Sequence, residues 1–458
     1  MSALAGARAL PMWQALRTRD FRLLWASEAV SVVGDQFHIM ALSWLVIDLT
    51  RSGLALGTIL IASGVPRALL LLPFGVLADR RPPRSLMLVA HLARGVIVGA
   101  IAALVLTGAA SLPLLALLGA LFGAADALYM PAQQAFLPRT LEAERLPSAN
   151  ALLQGTFQLA SIAGPPIAGA AIAVVGTGAA FVVDSASFFA AALVVLLISA
   201  KGAVAGRGPA EVEVAAEPEA QPSFATGTAA APDGAVADVI AAEPEAQPSF
   251  ATAIREGVRH VMGDPALRTT LLLSLVLNFA LNGPAAVGMP WLAGIRFNSG
   301  PAGLGLLSAA WAIGALAGTL VAGNVRVQRG GAALLGSVLV SGVAMMIVGT
   351  APWMPVAAVA LAVMGVCIGY VNILAISWLQ ARVPTDMVGR VMALAMLMGF
   401  GITPLSLGLA GWLIDLDATA LFLGAGARVV LVGVAAMLVR YPAAFDAPPP
   451  AMPAVAGR

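Results

Sequence analysis

Several ionisable side chains interrupt long apolar runs, and their spacing frames the chemistry this chain can do. Glu28, Asp35 and His38 share the first run; Asp35 lies seven residues beyond Glu28, and His38 three residues further. Arg67 falls in the second run, His91 and Arg94 in the third, Asp126 in the fourth, Asp184 in the sixth and Arg428 in the last. A charged group near the middle of a hydrocarbon layer costs at least about 2.5–3.5 kcal/mol, so each is a functional candidate by default. An acid and a histidine one helical turn apart can share or relay a proton, because burial and partnership change how tightly each holds it. Asp35 is the expected protonation site, with Arg94 as its charge partner; the same two residues also fit a buried pair that merely ties two helices. Glu28 and Asp126 fit either gate residues or wetted side chains, whereas Asp184 and Arg428 fit helix-tying contacts better than cargo ligands. Asn278, Asn282 and Asn372 are polar at depth and, with Arg67, are candidates to line a cavity or to bond across helices. In the second half of the chain the acids Asp415 and Asp417 fall at the outer edge, which leaves proton handling to the first half.

The elements that must position these groups follow from composition. The chain has 458 residues, 60% hydrophobic and only 10% charged, with a mean hydropathy of +0.93. A soluble domain carries about a quarter charged residues, so most of this surface must meet lipid or other helices. Apolar stretches of about 20 residues, the length that spans a bilayer core, recur at 23–49, 56–78, 86–107, 112–130, 150–175, 179–200, 268–292, 303–325, 332–350, 355–379, 390–413 and 418–440. The expected fold is therefore an all-α polytopic membrane protein with 12 transmembrane helices. Arg8, Arg17, Arg19, Arg22, Arg80, Arg81, Arg84, Arg139, Arg145, Arg326, Arg329, Arg382 and Arg440 gather on one side, against Arg51 and Arg296 on the other. By the positive-inside rule both termini are cytoplasmic, in the inner membrane, with no cleavable signal at the start.

Residues 201–266 form the one long polar stretch, with Glu211, Glu213, Glu217, Glu219, Glu243 and Glu245 set among Ala and Pro, and AAEPEAQPSFAT occurring twice. That composition predicts a disordered cytoplasmic linker, ending in a short amphipathic helix in which Ile254, Val258 and Val261 oppose Arg255 and Arg259 on the membrane surface. The linker separates a six-helix bundle at 1–200 from a second at 267–441, followed by a disordered cytoplasmic tail at 442–458. Two like halves joined by a flexible segment are what a two-domain carrier requires.

Gly75-x-Leu77-Ala78-Asp79-Arg80, with Arg84 beyond it, and a second-half copy keeping Gly323 and Arg329 with Val327 in place of the acid, stand after the second span of each half. With Met130–Pro138, Ile254–Leu267 and Val388–Leu394, these loops resemble the major facilitator superfamily, specifically its drug- and siderophore-exporting branch of twelve spans. The resemblance covers about Arg19 to Tyr441, excluding the linker. It implies that Asp79 with Arg80 or Arg84 latches the cytoplasmic side shut against the start of the eleventh span, where Gly389 and Arg390 sit; the alternative is that these arginines only fix topology. Gly155, Gly164, Pro165 and Gly169 resemble the glycine-proline motif of the superfamily's proton-driven exporters. Ala160, Gly164 and Ala168 form a small-residue stripe, matched by Ala310, Gly314, Gly318 and Ala322 in the eighth span; in the family these spans meet across the halves. The branch commonly carries an acid near Asp35 and an arginine near Arg94.

The expected function is proton-coupled export of hydrophobic or amphipathic small molecules by alternating access, with the proton gradient as energy source and no cofactor. Lysophospholipid transport between leaflets is the alternative cargo, and a non-transporting sensor is another reading. A membrane enzyme is disfavoured: no Gly-x-Ser-x-Gly elbow, phosphate-binding loop or metal-ligand cluster is present, and the histidines are only His38, His91 and His260. Cys367, the sole cysteine, excludes a disulfide within the chain. A net charge of +2 gives no reason to expect a nucleic-acid partner; the expected partners are a small-molecule substrate and the bilayer, with the chain a monomer.

Overall fold

The computed structural model describes residues 14–199, 250–324, 330–384 and 401–447, with 387, 390–392, 394, 395 and 398. Backbone groups in a hydrocarbon layer have no water to bond to, so apolar segments must satisfy them internally as helices. The helices are α1 (Arg19–Thr50), α2 (Gly53–Arg80), α3 (Pro83–Leu106), α4 (Leu112–Thr140), α5 (Leu146–Leu196), α6 (Phe250–Gly263) and α7 (Pro265–Trp291). They continue with α8 (Gly300–Asn324), α9 (Gly330–Thr350), α10 (Met354–Arg382), α11 (Thr403–Leu438) and α12 (Tyr441–Asp446). Among the described residues, 10 helices are long and apolar enough to cross a membrane.

Two of them are too long for one crossing. α5 has 51 residues, about 75 Å at 1.5 Å per residue, against a core of about 30 Å. It breaks at Gly176, whose φ of 84° and ψ of 166° suit glycine alone. α11 breaks at Asp417, where the carboxylate accepts from Ala420 N at 3.1 Å and so restarts the helix as an N-cap does.

The halves pair their helices in the same order. α1 packs on α5, α2 on α4, and α3 on α4 and α5; correspondingly, α7 packs on α11, α8 on α10, and α9 on α10 and α11. Across the halves, α5 meets α8 and α2 meets α11. Gly169 lies against Gly305, where an added Cβ would come within 3.0 Å of the Gly305 Cα. Gly57 lies against Leu407, its would-be Cβ 2.8 Å from the Leu407 carbonyl oxygen. Only residues without side-chain bulk allow this approach.

Several expectations change here. The stripe Gly314–Gly318 faces α10 within its own half, at Ala362 and Val366, and the partner of α5 is instead Gly305. The start of the tail is ordered. Tyr441 and Phe445 are buried, Trp378 stacks on Phe445 at 4.5 Å and donates to its carbonyl at 2.7 Å, and Arg382 donates to Ala447 O at 2.9 Å. α6 does not rest on lipid alone, because Val261 is buried with Leu267, Leu271, Leu379, Val383 and Val391, while Val258, Arg255 and Arg259 are exposed. The linker repeat, Gly389 and the second-half loop Arg326–Arg329 lie outside the described residues.

Candidate functional site

The charged side chains of the first half converge between α1, α2, α3, α4 and the second part of α5. Arg94 is deeply set, with its side chain 2% exposed. Its guanidinium lies 4.6 Å from the Tyr129 ring centroid and 4.6 Å from that of Phe188. Nη1 donates to Asp126 Oδ1 at 3.1 Å and Nη2 to His91 Nδ1 at 3.1 Å. An arginine can only donate, so His91 Nδ1 is the acceptor and Nε2 carries the ring proton. That nitrogen faces Ser27 Oγ at 3.4 Å, and Ser27 donates onward to Ala191 O at 3.2 Å. Asp126 accepts a second guanidinium, Arg67 Nε, at 3.1 Å. One carboxylate is thus held between two arginines brought from α2 and α3.

Glu28 is held by Tyr129, whose hydroxyl donates to Oε2. His38 is held by Asp184 across the α1–α5 seam, Nδ1 to Oδ2 at 3.1 Å. Asp35 differs from all of these. It is half-buried and makes no hydrogen bond or ion pair among the described residues, although Arg94 attracts its charge while Asp184, Asp126 and Glu28 repel it. Arg94 is therefore bonded to Asp126, not to Asp35, and His38 to Asp184, not to Asp35. Asp126 lies on a different helix from either arginine, so spacing along the chain could not have revealed this triad. Neither Tyr129 nor the partner of Asp184 could be read from the sequence, for the same reason.

The glycine-proline segment acts next to Asp35. A Cβ on Gly164 would collide with the side chain of Gln36, and one on Gly305 would lie 2.7 Å from the Pro165 carbonyl oxygen. Gly164 and Pro165 therefore join α1 to α8 through α5. Gly155 has nothing within 4 Å of its would-be Cβ and takes no part.

In the second half, Asn278 donates to Ser274 O at 2.8 Å, and Asn282 to Asn278 Oδ1 at 3.2 Å. This half-buried amide ladder runs along α7; Asn372, on α10, is exposed. Arg428 is half-buried in α11.

The polar contacts that tie the halves gather at the end opposite the termini. Asp415 of α11 accepts from Ser52 Oγ at 2.6 Å, Gly53 N at 2.6 Å and Leu54 N at 3.1 Å. A carboxylate there meets the unpaired N–H groups and the positive end of the α2 dipole. Arg51 donates to Gly294 O at 3.5 Å nearby. At the other end Gly75 has open space, and Asp79 and Arg80 are exposed; Asp79 makes no ion pair among the described residues. Arg84 donates to the last carbonyls of α5, Val195 O at 3.2 Å and Leu196 O at 2.7 Å. Arg390 stands beside Gly257 of α6 and reaches Met387 Sδ at 3.3 Å. No group of metal-ligating side chains occurs among the described residues.

The fold has counterparts among known proteins. The chain is 27% identical to the multidrug efflux pump Tap of Mycolicibacterium fortuitum over 416 residues, 89% of this chain and 92% of that protein. Among solved structures it resembles a bacterial homologue of the iron transporter ferroportin in an inward-facing state. That match has a TM-score of 0.67 and 15% identity over 93% of this chain and 98% of the other. It also resembles the nucleoside transporter NupG, with a TM-score of 0.63 and 13% identity over 92% and 99%. The family model of the Major Facilitator Superfamily matches residues 24–407. A chain of paired helical halves that this model covers for most of its length belongs to the Major Facilitator Superfamily of membrane transporters.

Proposed function

We propose that the chain is a proton-driven exporter of hydrophobic or amphipathic small molecules, working by alternating access in the inner membrane as a monomer. Counting each broken helix as two crossings, and completing α11 through the partly described stretch before it, gives twelve spans in two bundles of six. The arginine asymmetry then sets both termini in the cytoplasm. On that orientation the Asp415 clasp closes the outer side, and the unbonded Asp79 marks an open inner side, so the conformation described is inward-facing.

One observation carries the reading. Arg94 and Arg67 are both bonded to Asp126, His38 to Asp184 and Tyr129 to Glu28, which leaves Asp35 as the half-buried acid of the site with no bonded partner among the described residues. Its charge is balanced only through space, by Arg94. Adding or removing a proton there changes the charge beside Gln36 and Gly164, where α1, α5 and α8 meet. A difference of that kind between two access states is what couples a gradient to a conformational equilibrium. Moving one charge through 100 mV supplies about 2.3 kcal/mol. The half-buried Asn278–Asn282 ladder is assigned to the facing wall, where it offers an amphipathic cargo neutral hydrogen-bonding groups.

The experiment is a drug susceptibility and accumulation panel in an efflux-deficient host, comparing wild type with Asp35→Asn at matched membrane abundance. Wild type should lower accumulation of several lipophilic drugs, and the variant should not. Equal efflux by both would remove Asp35 from the mechanism. Movement of labelled lysophospholipid by wild type, with no drug efflux, would change the cargo.

A further inference from the structure

His38 and Asp184 play no part in the Asp35 step as described, yet their arrangement is that of a proton acceptor. The two side chains lie on the α1–α5 seam, 7% and 0% exposed. The two are 3.1 Å apart, Nδ1 to Oδ2; with Asp184 ionised, its oxygen can only accept, and His38 Nδ1 then carries a proton. Which imidazole nitrogen binds a further proton is set by the bond that the other one makes. Here the carboxylate fixes the Nδ1–H form and leaves the lone pair on Nε2. That nitrogen has no hydrogen bond among the described residues. The ring is stacked flat against Phe122, with centroids 4.3 Å apart and planes 10° apart, and edge-on to Phe181 at 5.8 Å.

Asp184 has a further peculiarity. Its Oδ1 is buried without a hydrogen-bond partner, and it lies against Gly34, where a Cβ would come within 2.8 Å of it. An unsatisfied buried acceptor costs about 1–3 kcal/mol. A purely structural tie between helices has no use for that cost, whereas a carboxylate that must stabilise a newly formed imidazolium does.

We propose that His38 Nε2, its tautomer fixed by Asp184, is a second proton-binding site of this carrier, one helical turn beyond Asp35 on α1. The proton comes from Asp35 or from solvent, and its binding takes the His38–Asp184 pair from a net charge of −1 to zero. The charged groups that act on Asp184 are His38 and Arg94 of α3, and those that act on Asp35 beside the pair are Arg94, Asp184, Asp126 of α4 and Glu28 of α1. The first part of α5 has no ionisable residue between Leu146 and Gly176. Arg94 acts on both Asp184 and Asp35, and Asp184 repels Asp35. Neutralising the pair removes that repulsion, so occupation of one site alters occupation of the other. The inference rests on the proton-driven reading for its consequence in transport, though the binding itself can be measured without transport.

The chain has three histidines, so 15N-imidazole labelling of the purified full-length protein in detergent yields few signals. These can be assigned with His38→Gln, His91→Gln and His260→Gln. As the pH is lowered, the His38 Nδ1–H signal should persist while Nε2 passes from unprotonated to protonated. In Asp184→Asn the Nδ1–H preference should be lost, which a dyad that only ties helices would also show; the Nε2 titration in wild type is the decisive readout. A His38 ring that stays neutral throughout, or that carries its proton on Nε2 at the alkaline end, overturns the proposal. If His38→Gln does not fold, its signal is assigned as the one remaining after the other two substitutions. A parallel count of protons released on adding ethidium separates the two claims. Release that is lost in Asp35→Asn, with a silent His38, leaves the exporter standing and removes the second site. A titrating His38 with no proton release from wild type does the reverse.

Discussion

Arg94 lies between two aromatic rings and bonds to Asp126 and His91, so its contribution is set by burial more than by charge alone. Removing one member of a buried ion pair leaves the other charge uncompensated, at about 3–5 kcal/mol. Arg94→Ala should therefore cost stability on that scale, read as a fall in the unfolding temperature of the detergent-purified protein. Arg67, whose side chain is 50% exposed, bonds to the same carboxylate from its wet side, and Arg67→Ala should cost no more than about 1 kcal/mol. Equal losses in the two variants would contradict the order of burial. Arg94→Lys keeps the charge but cannot bond to Asp126 and His91 in one plane, so it should recover only part of the loss. At this scale the sequence was informative about depth and silent about partners. The apolar run around Asp35 shows that an acid lies within the membrane, but Asp126 reaches Arg94 only because α3 and α4 pack side by side. Likewise, His38 is three residues from Asp35 along α1, and the rotation of α1 against α5 gives it to Asp184.

Small residues decide how the helices approach each other. Gly169 and Gly305 let α5 and α8 cross with backbones in contact, so Gly305→Leu should abolish efflux at normal membrane abundance. Gly323→Leu, at a position with open space, should leave efflux intact. The stripes themselves were legible in the sequence. Spacing of four says that a helix face packs closely, but it does not say against what, which is why Gly314 and Gly318 turn out to serve α10. Polar caps act at the same scale. Asp264 opens α7, accepting from Ala266 N at 2.9 Å and from Arg382 Nε at 2.6 Å. Burial pushes its carboxyl up, but Arg382 and the backbone N–H groups outweigh that and hold it below its usual value. A depressed carboxyl stabilises the fold above its unfolded value of about 3.9, and the contribution is lost as pH falls through the lower folded value. Wild type should thus be more stable than Asp264→Asn at neutral pH, with the gap closing below about pH 4 in unfolding scans. A gap independent of pH would show that the cap works without its charge. The ordered tail could not be read from composition, because Tyr441 and Phe445 gain their burial from Thr270, Trp378 and Gly330 in distant helices.

At the scale of the molecule, the two halves are joined where glycines cross and where Asp415 caps α2. The Asp415 clasp is worth about 1–2 kcal/mol as a charged cap, which is roughly tenfold in the balance between states. Asp415→Ala should shift the population toward the outward-open state by about that factor, read as faster labelling of a cysteine placed at Leu407 in a Cys367→Ser background. Unchanged labelling would mean that glycine packing alone keeps the outer side closed. The doubling of the fold was visible in the sequence from the apolar runs and the repeated loops. The state of the gates was not, since the same residues serve both states. The central claim is that the proton exchanged in each cycle sits on Asp35. It is tested most directly by adding ethidium to purified protein in weakly buffered detergent and recording proton release for wild type and Asp35→Asn. Wild type should release protons in proportion to the ethidium bound, and the variant should bind ethidium with that release reduced or lost. Equal release from both proteins would place the exchanged proton elsewhere and contradict the account.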